Sequence, residues 1–397
     1  MWGRWGIRAG FCRSSNPLDL LLGLEYRLRC GRPPACVARP RERSFIVAEL
    51  PELTLEPGGR YCVYALAKRG LPSLDAARLL ARRLGVNPRQ ASIAGLKDTE
   101  ATTLQYICLP CPREPPAIVA VPGRLWARLV GRASRCPRRG VLRGNRFTIV
   151  LEPVSASCRE VVEAAEALRG AKLPAYYGYQ RFGTRRPNTH LQGLALLRGD
   201  LAWYARELLG SPYPDESPAT ARCRASLWRS EECQGSRLYE ATVARRAASP
   251  ADLPALLPRG VAEIQLAALQ AYIFNRYLSL RLARGHSLDE KLPGERLVGG
   301  RPHAPVPGIG YRLGTGGEAA ELLEEALEPL GIGLEDLAEP PPGLPRLRPY
   351  WRPVYTVPEG LEARIIPGCR VAIAFSLEKG MYATLVLREL AEPPECV

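Results

Sequence analysis

A chain of 397 residues is long enough for two domains, or for one domain that carries a large insertion. With 46% hydrophobic and 24% charged residues it has the make-up of a soluble globular protein, and no apolar run approaches the ~20 residues that span a bilayer. The formal charge of +15 comes almost entirely from arginine, because Lys68, Lys97, Lys172, Lys291 and Lys379 are the only lysines; guanidinium groups fork onto phosphate and stack on bases, so the balance favours nucleic acid as partner, with a solvated Arg-biased surface as the alternative.

The apolar run at residues 20–24 is cut off by Glu25 and is too short for a signal-peptide core. Cytoplasm is therefore the expected location, although the basic first residues also suit an organelle-targeting leader. Residues 45–50 read as a short strand, and residues 60–67 alternate well enough to be a second. Ser73 is expected to cap a helix through Leu84, ended by Gly85, with Asp75 in the positive first turn. Further strands are expected at 103–109, 124–130 and 146–152, followed by a helix over 158–169 that Gly170 stops. From about Gly183 helical stretches dominate, notably 261–284 and 318–330. The Pro340-Pro341-Pro342-Gly343 run reads as a linker. Strand patterns return at 370–376 and 382–388. One sheet finished by the chain end, with a mostly helical domain inserted between its parts, accounts for this order.

Several chemistries lack their residues. No Gly-x-x-x-x-Gly-Lys-Ser/Thr phosphate loop is present, and Gly308-Ile309-Gly310 has neither the third glycine nor the βα context of a dinucleotide site. His190, His286 and His303 are the only histidines, which disfavours triads and metal sites. The only close cysteine pair, Cys108-Leu109-Pro110-Cys111, falls short of four zinc ligands. The twelve cysteines read mainly as buried thiols, with disulfides as the alternative.

Three segments offer chemistry instead. Ala94-Gly95-Leu96-Lys97-Asp98 is a glycine-containing turn that can present a carboxylate, with the Lys97 ammonium favouring the ionised form of Asp98; the same Asp98, followed by Thr-Glu-Ala, would also serve as a helix N-cap. Arg143-Gly144-Asn145-Arg146-Phe147 reads as a turn leading into a strand. Asn145 could hydrogen-bond a base edge and Phe147 could stack on an extruded base, while Phe147 also alternates with Ile149 and Leu151 as a core-facing set. Residues 176–188 interleave aromatics with Arg and Gly, which suits RNA as well as it suits a packed surface loop.

In order, the chain carries Phe45-Ile46-Val47-Ala48-Glu49, then Ala-Gly-Leu-Lys-Asp with Thr103 and Gln105 behind it, then Gly144-Asn145-Arg146-Phe147. Tyr177-Gly178-Tyr179-Gln180-Arg181-Phe182-Gly183 follows with Asn188, then Leu-x-x-x-Ile-Phe-Asn-Arg at 269–276, Pro-Gly-Glu-Arg at 293–296, Val-Pro-Gly at 306–308 and a closing Leu-Glu-Lys-Gly-Met-Tyr-Ala-Thr-Leu-Val-Leu-Arg-Glu at 377–389. This ordered set resembles the TruD family of tRNA pseudouridine synthases. It departs from the family pattern at Thr99, at Tyr177 and at Glu42-Arg43-Ser44.

The resemblance implies an α+β fold: a pseudouridine-synthase core with a mixed, largely antiparallel sheet flanked by helices, split by a mostly helical insertion. The expected boundaries are 1–182 and 349–397 for the core and 183–348 for the insertion. It implies Asp98 as the catalytic carboxylate, Glu49, Lys97, Asn145 and Phe147 as its neighbours, and Gln180 and Arg181 as RNA-contacting or site-shaping residues. The implied substrate is tRNA, with no membrane, metal or nucleotide cofactor. The implied reaction extrudes a uridine, cleaves its glycosidic bond and rejoins the uracil through C5. A non-catalytic RNA-binding or RNA-folding factor on the same scaffold is the alternative.

Overall fold

The computed structural model describes residues 10–39, 41–95, 97, 101–138, 140–183, 186–213 and 216–391. The chain forms two compact units. One comprises residues 31–173 and 356–397, and the other residues 1–30 and 174–355. By this division the chain passes between the units near Leu173 and Tyr355, and residues 10–30 fall with 174–355.

The first unit is built on one mixed sheet. Its main path runs Glu359–Ile366, Arg370–Glu378, Leu142–Pro153, Phe45–Pro51, Thr102–Pro110, Tyr61–Lys68, Leu125–Ala133 and Ile118–Val121, with the short strands Ala35–Val37 and Ser92–Ile93 attached at its sides. The described pairings are antiparallel except that between Phe45–Pro51 and Thr102–Pro110. Strands alternate their side chains between two faces. On one face Tyr64, Leu66, Ile107, Leu109, Leu125 and Ala127 are buried beneath Ala76, Ala77 and Leu80 of the helix Ser73–Arg83. The helix Cys158–Glu166 packs on the strands nearer the other edge. A reciprocal capping box starts it, with the Ser157 hydroxyl accepting from the Glu160 amide and the Glu160 carboxylate accepting from the Ser157 amide.

Most of the expected strands and helices form, with two instructive differences. Residues 382–388 form a helix, Ala383–Leu390, not a strand. A short apolar run fits either period; here Ala383, Leu385, Val386, Leu387 and Leu390 are all buried, so no alternation survives. Ser73 does not cap its helix. The preceding Pro72 takes the cap position without a side-chain bond, and the Ser73 hydroxyl is engaged elsewhere.

The second unit is organised around the helix Val261–Ala283, which packs against Thr189–Leu197 and Gly317–Leu327. Gly193 has the backbone of Gln265 where a Cβ would stand, so a larger residue would force these two helices apart. Several motif residues hold this unit together. Asn275, fully buried, accepts from the Tyr177 amide at 2.7 Å and donates to the carbonyls of Leu22 and Tyr177 at 3.0 and 3.1 Å. Glu295 accepts from the Tyr277 hydroxyl at 2.9 Å and pairs with the fully buried Arg281 at 3.1 Å. Gly343 of the presumed linker lies within this unit, at a φ of 86°. No helix among the described residues is long and apolar enough to cross a membrane.

The cysteines are not the buried thiols that their scatter suggests. Cys62 pairs with Cys111, Cys108 with Cys136 and Cys158 with Cys369 in the first unit, and Cys12 with Cys30 and Cys223 with Cys233 in the second. Pairing depends on distance in the fold, which spacing along a chain does not report. Cys108 and Cys111, three positions apart in sequence, therefore bond to different partners. The Cys158–Cys369 bridge closes the longest of these loops, with a sequence separation of 211. Removing it by a Cys158→Ser/Cys369→Ser double substitution is expected to cost about 2–5 kcal/mol of unfolding free energy in denaturant titrations. The difference between variant and parent should vanish under full reduction.

Candidate active site

The register of three strands gathers the site. Asn145 stands directly beside Glu49 on one neighbouring strand and Leu377 on the other, and Phe147 stands between Val47 and Phe375. Period-two alternation then puts Glu49, Asn145 and Phe147 on the same helix-covered face. The parallel pairing of Val47 with Thr103 adds Thr103 and Gln105 to that face.

Gly144 is part of the strand Leu142–Pro153 rather than a turn before it. Its glycine is required by a close approach. A Cβ there would run into the Leu377 carbonyl of the adjacent strand.

Lys97 is the meeting point. Its ammonium donates to Asn145 Oδ1 at 2.7 Å and lies 3.2 Å from Glu49 Oε2. Both partners of this ion pair are nearly removed from solvent, with side-chain exposures of 6% for Lys97 and 1% for Glu49. Burial pushes the Glu49 carboxyl above its ordinary value, and the Lys97 charge pulls it part of the way back. The Lys97 backbone is fixed as well: its amide donates to Ser73 Oγ at 2.9 Å, and that hydroxyl donates to Gln105 Oε1 at 2.8 Å.

Phe147 is 7% exposed. Its ring stacks on Phe375 with centroids 5.4 Å apart and meets the edge of Phe45 at 6.3 Å. Such a row makes Phe147 part of the core beside the Lys97 cluster. Gln180 and Arg181 belong to the second unit, in the short turn Tyr179–Arg181. Around them Tyr176, Tyr177 and Phe182 are buried, with Arg352 over the Tyr177 ring at 4.0 Å, so the rings of this block are packing residues. Gln180 stays exposed and Arg181 half-buried. Asp98 lies outside the described residues, as do Leu96, Thr99 and Glu100.

Sequence reading missed Ser73, assigned only to a helix cap. The signal available was Pro72, which precedes it and already sets the helix entry. Chemically, the described cluster is a buried ammonium held by a carboxylate and an amide, one residue before the carboxylate of Asp98 in the chain.

Lys97→Met would leave Glu49 buried without its counter-charge, which should cost about 3–5 kcal/mol near neutral pH. Glu49 is a carboxyl whose folded value is raised, so it holds its proton more tightly in the fold than in the unfolded chain. Its contribution is fully present below the unfolded value and is lost as pH rises through the folded value. Without Lys97 that loss grows, so the variant's unfolding free energy should approach the parent's as the pH is lowered through the carboxyl range. A deficit that stays constant from pH 7 down to pH 4 would contradict this.

Residues 22–303 match the family model for tRNA pseudouridine synthase D (TruD). A Pyrobaculum arsenaticum protein named a tRNA pseudouridine synthase D is 32% identical over 96% of this chain and 98% of its own length. One from Methanopyrus kandleri is 34% identical over 86% and 88%. The crystal structure of the TruD protein of Methanosarcina mazei superposes with a TM-score of 0.70 at 23% identity, covering 91% of this chain and 94% of that one, and shares its fold. Family model, relatives and fold agree with the ordered motifs along the sequence: the chain belongs to the TruD family of tRNA pseudouridine synthases.

Proposed function

We propose that this chain isomerises uridine to pseudouridine in tRNA, at position thirteen as the family does, with Asp98 as the catalytic carboxylate. The observation that carries the assignment is the 2.7 Å bond from Lys97 Nζ to Asn145 Oδ1. It joins the segment that ends in Asp98 to the Gly-Asn-x-Phe segment 48 residues further on. Glu49 closes the group from the third motif.

The extruded nucleoside presents its ribose to Asp98. The carboxylate promotes rupture of the N1–C1′ bond, either by attacking C1′ or by assisting deprotonation of the sugar. The freed uracil turns, C5 bonds to C1′, and the proton on C5 leaves to solvent while N1 gains one. Product and substrate have the same composition, so the reaction as written consumes no cofactor. Asn145 bonds the base edge or the catalytic turn, and Phe147 forms the floor under the base. Gln180 and Arg181 contact the RNA, with the arginine-rich surface supplying phosphate contacts.

In this reading the sheet unit is the catalytic core and the helical unit is the family's insertion. The second function class, a non-catalytic RNA-binding factor, shares the basic surface and the salt-sensitive binding. Only the enzyme makes a product.

Asp98→Asn should bind tRNA with an affinity within a few-fold of the parent and release no tritium from [5-3H]uridine-labelled tRNA. Tritium release at the parent rate would remove Asp98 from the chemistry. Phe147→Ala tests the floor. Its ring is packed between Phe45 and Phe375, so the truncation should cost about 3–5 kcal/mol of stability as well as turnover. Phe147→Leu should recover most of the stability while turnover stays low.

A further inference from the structure

Ser73 opens the helix Ser73–Arg83 at a place where a serine would ordinarily serve the helix itself. It does not. The helix starts at Pro72 without a side-chain cap, and the Ser73 hydroxyl, 2% exposed at residue level, turns toward the strand Thr102–Pro110 and the segment that leads to Asp98. It accepts the Lys97 N–H at 2.9 Å and donates to Gln105 Oε1 at 2.8 Å. Gln105 is itself fully buried, and its Nε2 has no hydrogen-bond partner among the described residues. A residue that gives up its local role for a contact 24 positions away marks a local rule broken for another purpose.

The consequence is mechanical. Ala76, Ala77 and Leu80 hold the helix on the sheet, so Ser73 is a fixed point. Lys97 is gripped at both ends, its amide by Ser73 and its ammonium by Asn145 and Glu49. The peptide that follows is the one that bears Asp98.

We propose that Ser73, braced by Gln105, is a positioning residue for uridine isomerisation: its hydroxyl fixes the Lys97 amide and so sets the direction in which the chain enters Asp98. The proposal rests on the reading of Asp98 as the catalytic carboxylate. Small misplacements of a reacting group cost rate far more than binding, whereas tRNA affinity depends chiefly on phosphate contacts.

The test compares Ser73→Ala, Ser73→Thr and Gln105→Leu with the parent and with Asp98→Asn. Single-turnover tritium release, tRNA affinity by filter binding and the thermal midpoint are read for each. Ser73→Ala should lower the single-turnover rate about 10- to 100-fold, with tRNA affinity within two-fold and the protein folded at the assay temperature. Ser73→Thr keeps the hydroxyl and should return to within about three-fold of the parent, a rescue that a general packing role does not predict. Gln105→Leu leaves the hydroxyl in place but unbraced and should fall between the two. If Ser73→Ala does not fold, Gln105→Leu and Ser73→Thr carry the comparison.

A parent-like rate in Ser73→Ala overturns the proposal. So does a loss that appears in affinity rather than in rate, or a Ser73→Thr variant as slow as Ser73→Ala. In all of these the parent makes pseudouridine and Asp98→Asn does not, so the catalytic reading stands. An active Asp98→Asn removes that reading first, and the proposal with it.

Discussion

The buried ammonium of Lys97 is the constraint around which the sheet unit is arranged. A charge removed from water is tolerated only with a counter-charge and hydrogen bonds in good geometry. Here those come from Glu49 at 3.2 Å and Asn145 at 2.7 Å, residues that face each other across two antiparallel strands. The alternation of side chains makes that arrangement all or nothing. A slip of one residue would carry Asn145 to the opposite face and would take Phe147, Ile149 and Leu151 with it. The site and the apolar core therefore specify the same register. The stacked row of Phe45, Phe147 and Phe375 is the core's share of that agreement.

Much of this was legible because strands and amphipathic helices announce themselves by period. Residues 45–50, 103–109 and 370–376 read as strands and become Phe45–Pro51, Thr102–Pro110 and Arg370–Glu378. The failures have physical causes. Residues 382–388 carry too few polar positions to separate one period from another, and all but Tyr382 enter the helix Ala383–Leu390. Gly144-Asn145 looks like a turn from local chemistry, yet its glycine answers the backbone of the next strand, a contact formed only in the folded sheet. Ser73 looks like a cap for the same reason. Local preference predicts what a residue does for its own segment and is silent when the residue serves another.

The motif residues divide along similar lines. The ordered set revealed the family, but it did not separate residues that touch substrate from residues that hold the scaffold. Tyr176, Tyr177 and Asn275 belong to the most recognisable blocks, and all three are buried. Asn275 satisfies the backbone of Tyr177 and Leu22, which are otherwise far from it along the chain. Aromatic residues between arginines read equally well as a base-stacking platform and as packing until burial is known. Gln180 is exposed and Arg181 half-buried beside those buried rings.

The polar groups near Lys97 also bear on how the unit stays folded. Among the described residues Thr103 Oγ1 and Gln105 Nε2 are buried without hydrogen-bond partners, and each such group costs about 1–3 kcal/mol of stability. A core chosen for stability alone would put apolar side chains there, as it does at Ile107 and Leu109 further along the same strand. The strain falls where Ser73, Lys97 and Asn145 must keep one geometry, and the compensation lies elsewhere. Cys62–Cys111 ties the ends of two adjacent strands, Cys108–Cys136 staples the opposite face, and Cys158–Cys369 joins a helix to the hairpin before Arg370–Glu378. By restricting the unfolded chain, these bridges raise stability without contributing a side chain to the site. A polar, partly unsatisfied centre and a covalently stapled frame are thus two sides of one arrangement: the frame tolerates the cost of holding Lys97 in place.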